Sequence, residues 1–124
     1  MKVVINSCFG GFGLSTEACE WLIKHKKWKV TEFNEEGTYK NPKADLCLTG
    51  EKQGTFLEKY YLVQDDDKIR TNKDLIECIE TIGSKKASGS CASLRIVKIP
   101  DNIEYEIDEY DGNESIHEKH NSWN

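Results

Sequence analysis

A chain of 124 residues, 37% hydrophobic and 31% charged, has the length of one domain with a modest core and a large polar surface. Its formal charge of −5 argues against long nucleic acid as a partner, because that affinity comes largely from neutralised phosphates. No apolar run approaches the ~20 residues that cross a bilayer, and Met1-Lys-Val-Val-Ile lacks the length and cleavage site of a signal peptide, so a cytoplasmic protein without membrane contact is expected.

Five cysteines, at 8, 19, 47, 78 and 91, form no Cys-x-x-Cys pair and are expected as free thiols in a reducing compartment. Zinc needs closely spaced ligands, and His117 and His120 have no cysteine beside them. No metal and no cofactor are expected.

In chain order, Lys2–Asn6 is predicted as a buried strand. Ser15 or Thr16 caps a first helix, with Glu17 and Glu20 at its positive end and Lys24, Lys26 and Lys27 at its negative end. Helical spacing turns Trp21 and Leu22 to the core. Trp28–Phe33 alternates with period two and predicts a half-buried strand. A polar loop follows over 34–43, then a short strand at Ala44–Leu48 and a further strand at Phe56–Val63, where Leu57–Tyr60 also fits a helix. Asp65, Asp66 and Asp67 lack the alternate spacing, glycine and distant glutamate of a calcium loop, so they are expected as a solvated turn.

Thr71 or Asn72 caps a second helix with Leu75, Ile76, Ile79 and Ile82 on its buried face and Gly83 as its stop. The small, polar stretch 85–92 is expected as a mobile connector or a binding loop. Leu94–Ile99 is predicted as a strand, 100–102 as a turn, and Ile103, Tyr105 and Ile107 as a hairpin partner with an acidic face. Ile116, His120 and Trp123 recur at helical intervals, so the tail from Glu114 is expected as a short helix. The whole predicts one α+β domain over 1–124: an antiparallel sheet with two main helices and a short C-terminal helix.

Asn6–Ser15 carries the most unusual chemistry, Asn-Ser-Cys-Phe-Gly-Gly-Phe-Gly-Leu-Ser at a strand–loop–helix bend. It lacks the lysine of a Walker A loop and the spacing of the dinucleotide fingerprint. Two readings stand. Phe9 and Phe12 plug the core around a tight glycine turn; or a ring stacks on a base while Gly10, Gly11, Gly13 and Leu14 bring backbone amides to an anion. Arg70, one of two arginines, stands before the second helix, within reach of such a ligand.

Two catalytic readings compete. Glu106 and Asp108 share a strand face roughly 7 Å apart, compatible with acid–base work on a glycosidic bond and equally with a solvated hairpin. Cys8 with His117 or His120 would make a nucleophile–base pair only if the fold joined them.

Lys2–Ser15, the segment Tyr105–Glu114 followed by His117, His120 and Trp123, and the intervening Arg70, Asp74–Ile76, Glu80 and Gly83 together resemble small phage and prophage proteins of the first anti-Thoeris signal-sponge family. The resemblance implies a homodimer or higher homo-oligomer in the host bacterial cytoplasm. It would bind, without cleaving, the cyclic ADP-ribose isomer made by TIR-domain enzymes, and would not be an enzyme. The resemblance assigns no contact residue. On chemistry, Phe9 or Phe12 would stack on the base, Gly10–Leu14 would offer amides, Arg70 would balance the phosphates, and a carboxylate of the acidic hairpin such as Asp108 would accept a ribose hydroxyl. The alternatives are a small cytosolic enzyme acting on a nucleotide and a protein–protein interaction module.

Overall fold

The structure, a computed structural model, describes residues 1–9, 12–32, 38–48, 60–63, 68–89 and 92–118. Strand β1 (Lys2–Asn6) leads to helix α1 (Thr16–Lys26), then to strands β2 (Val30–Glu32), β3 (Leu46–Leu48) and β4 (Tyr60–Leu62). A 3-10 turn (Ile69–Thr71) precedes α2 (Lys73–Ile82) and the short α3 (Ser84–Ala87), and the chain continues through β5 (Leu94–Lys98), β6 (Tyr105–Tyr110) and β7 (Asn113–Glu118). The fold is α+β. Among the described residues, no helix is long and apolar enough to cross a membrane.

The strands form three small sheets rather than one. β1 pairs antiparallel with β5, Lys2 against Lys98 and Asn6 against Leu94. β3 lies parallel to β2 and antiparallel to β4, so one pairing departs from the expected antiparallel pattern. β6 and β7 form a separate hairpin.

Both helix starts follow their caps. Ser15 Oγ accepts from Ala18 N at 3.0 Å, and Asn72 Oδ1 accepts from Leu75 N at 3.1 Å. α1 buries Ala18, Cys19 and Leu22, while Trp21 stays half-buried beside His25. α2 buries Leu75, Cys78 and Ile79 against them, with the Cys78 thiol donating to Ala18 O at 3.6 Å and Lys26 paired with Glu77. Trp28 forms part of the same core, its indole N–H donating to Asp74 at 3.0 Å. Gly83, at φ 94°, ends α2, a conformation that costs glycine little.

Three expectations are corrected. The connector after Gly83 begins with α3, whose end is tied down: the Ser88 hydroxyl donates to Ser84 O at 2.6 Å and accepts from Leu94 N at 2.8 Å. β5 pairs with β1, and the hairpin partner of β6 is the segment that follows it. The expected tail helix is strand β7 as far as Glu118, because Asp111 (φ 51°) and Gly112 (φ 88°) make a two-residue hairpin turn. An Asp-Gly pair with both φ values positive matches the twist of the strands it joins, and this overrides the helical spacing of Ile116. His120, Trp123, Phe33, Phe56 and Asp65–Asp67 lie outside the described residues.

Candidate functional site

The loop after β1 is anchored at both ends. Asn6 is fully buried; its Nδ2 donates to Cys8 O and Gly112 O, each at 2.7 Å, and its Oδ1 accepts from Ser93 N at 2.8 Å. At the far end, Gly13 O accepts from Gly89 N at 2.9 Å, and the Ser15 hydroxyl donates to Lys86 O at 2.5 Å. A Cβ on Gly89 would stand 3.2 Å from Gly13 C and 3.3 Å from Leu14 O, so the backbones meet here because one residue has no side chain.

Of the loop residues singled out, Gly10 and Gly11 lie outside the described residues. The two phenylalanines divide between the two readings. Phe9 is 59% exposed and meets Tyr110, itself 79% exposed, edge to face with centroids 6.4 Å apart. Phe12 packs half-buried against the core, and Leu14 is buried, bridging to Ser88.

Beside Phe12 opens a cleft of about 110 Å³, lined by Phe12, Gly13 and Leu14, by Cys19 of α1, and by Tyr60, Tyr61 and Leu62. A larger hollow of about 480 Å³ lies between the start of β1 and α2, near the Lys2–Glu80 ion pair, and among the described residues lining it none is aromatic.

Arg70 reaches Phe12 in the loop, but its charge is matched within the chain. Its guanidinium lies 3.8 Å from the Phe12 ring centroid and forks onto Glu114, Nη1 to Oε1 at 2.5 Å and Nη2 to Oε2 at 2.8 Å. Both side chains are nearly buried, and Glu114 Oε1 also accepts from Asn6 N at 2.8 Å. Phe12, Arg70, Glu114 and Asn6 therefore form one connected unit.

Asp108 is not part of it. Successive strand residues face opposite sides, and Glu109 is the one opposite Glu114 in the register. Asp108 projects from the other face, its carboxylate 3.3 Å from His117 Nδ1, while Glu106 lies 3.0 Å from Nε2. The same contacts bear on the pairing of Cys8 with His117; its pairing with His120 lies outside the described residues. His117 is engaged by the two carboxylates, whereas the Cys8 thiol faces Phe9 O at 3.5 Å. Among the described residues, no group of three or more His, Cys, Asp or Glu is arranged to hold a metal ion.

Sequence reasoning missed Asn6, Glu114, Tyr60, Tyr61 and Tyr110. The signal for Glu114 was there: after an Asp-Gly turn the period is two, which puts Glu114 on the same face as Ile116. No family model matches the chain, and neither a curated protein nor a solved structure matches it.

Proposed function

We propose that the chain is an anti-defence protein of phages or prophages. It binds the cyclic ADP-ribose isomer made by bacterial TIR-domain enzymes and holds it uncleaved in the host cytoplasm, so that Thoeris immunity is not triggered. The observation that carries this reading is the convergence at Phe12 of an aromatic-lined cleft and a stacked guanidinium. Ring stacking on a base contributes about 1–3 kcal/mol per base, and a charge-assisted bond to phosphate about 1.5–3 kcal/mol. Sequestration asks for tight binding alone, near −12 kcal/mol for nanomolar affinity.

The cleft is small for the task. At about 110 Å³ it falls below the ~300–1,000 Å³ of sites that enclose a drug-sized ligand. In this reading it takes a ring of the ligand, and a second copy in a homodimer or larger assembly covers the rest. The exposed Phe9–Tyr110 pair favours a second reading, a protein–protein interaction module.

The deciding experiment incubates the protein with the cyclic isomer, removes free ligand, denatures by heat and analyses what is released. Intact isomer in stoichiometric amount is expected. A converted nucleotide would make the protein an enzyme, and no nucleotide at all would leave the interaction module.

A further inference from the structure

Glu114 sits in a cradle whose donors come from elsewhere in the chain. Three N–H groups converge on its carboxylate, two from Arg70 in the 3-10 turn and one from the backbone of Asn6 at the end of β1. These donors are positioned without the hairpin's β-ladder. The Phe12 ring backs the guanidinium, and Asn6 is fixed by the β1–β5 ladder and Ser93.

The hairpin that delivers Glu114 is a more separable body. β6 and β7 pair only with each other among the described strands, and an isolated two-stranded ribbon is marginally stable in water. It joins β5 through a turn in which Asn102 takes φ 66°, a conformation that asparagine tolerates. Its tip is held by the Gly112–Asn6 hydrogen bond, the Tyr110–Phe9 contact and Glu114 itself.

We propose that Asn6 N–H and the Arg70 guanidinium form a phosphate-binding site that Glu114 fills in the free protein, and that the hairpin tip moves off when a phosphate group takes the place of the carboxylate. Phosphate offers Arg70 the same two-oxygen fork as a carboxylate. The closed hairpin opposes such an anion twice. It occupies the donors, and residues 101–118 bring eight carboxylates with no lysine or arginine among them. Moving the hairpin removes both obstacles together. For the cyclic nucleotide this site deepens the reading above and rests on it; for a phosphate group alone it does not.

The test uses pyrophosphate and the full chain. Calorimetry at low salt should find Glu114→Gln binding pyrophosphate at least tenfold more tightly than the unaltered protein, and Arg70→Lys in that background should abolish the gain. Equal or weaker binding by Glu114→Gln, or none by either protein, overturns the site. If Glu114→Gln does not fold, hydrogen exchange on the unaltered chain decides. Excess pyrophosphate should speed exchange of the Asn113–Glu118 amides about tenfold, and unchanged or slower exchange overturns the proposal. Failure here with the cyclic isomer still recovered intact would leave the sponge reading standing, with its phosphates held elsewhere.

Discussion

Arg70 is held between a ring and a carboxylate, Phe12 at 3.8 Å from its guanidinium and Glu114 at 2.5 and 2.8 Å from its two nitrogens. Burial gives the pair two different consequences. Taking two charges out of water offsets much of their attraction, while removing one partner strands the other. Glu114→Ala should therefore destabilise the fold by about 3–5 kcal/mol, read from urea unfolding. The double variant Arg70→Met, Glu114→Leu should cost far less than the two single changes summed. Additive losses would show that the two side chains act independently.

Gly89 and Gly13 face each other but should respond differently to a methyl group. At Gly89 the new Cβ meets backbone at 3.2–3.3 Å, whereas at Gly13 nothing lies within 4 Å. Gly89→Ala should lower stability by about 1–3 kcal/mol, the range for overpacking. Gly13→Ala should stay within about 0.5 kcal/mol of the unaltered protein. Thermal unfolding of the two variants side by side checks this.

The cysteines should separate by pH and exposure. Burial pushes the Cys78 thiol up to about 11 from an ordinary 9.0, so at pH 8 only about a thousandth of it is thiolate. Cys8 is half-exposed. Iodoacetamide at pH 8 should label Cys8 before Cys19, Cys47 and Cys78 and reach Cys78 only on unfolding, as mapped by mass spectrometry. The sign for stability follows from linkage. The folded value is raised, so the contribution of the neutral thiol is complete below pH 9 and is lost as pH rises through about 11. Cys78→Ala should flatten that alkaline decline.

For the cyclic isomer, Phe12→Leu should lose about 1–3 kcal/mol of affinity, the stacking contribution. Asp108→Asn should bind as the unaltered protein does, because that carboxylate faces His117 on the far side of the hairpin. Calorimetry on both variants checks the pair.

Local signals made much of the fold legible, and pairing partners remained hidden. Ser15, Asn72 and Gly83 marked helix ends through their own side chains or their lack of one, and β1 stood out as an apolar run. What could not be read was which strand meets which. Leu94–Lys98 reads as a strand whether it pairs forward or back, and its actual partner lies at residues 2–6. The site failed to show for the same reason. Arg70 was visible, beside the loop, as one of two arginines, but its match with Glu114, 44 residues away, depends on where the hairpin docks. Helical spacing at Ile116 competed with the Asp-Gly turn, and the turn prevailed because it fixes the backbone of the adjoining strands.

The ladder between β1 and β5 has a consequence for how the chain is made. Val3 pairs with Val97, so β1 waits for the fifth of the seven described strands. Contacts of such sequence separation slow folding, since the intervening loop must close before they stabilise anything. Until then Val3, Val4 and Ile5, all fully buried in the finished protein, lack the cover that β5 gives them. α1 and α2, which share part of their buried faces, can begin to pack while β1 is still waiting.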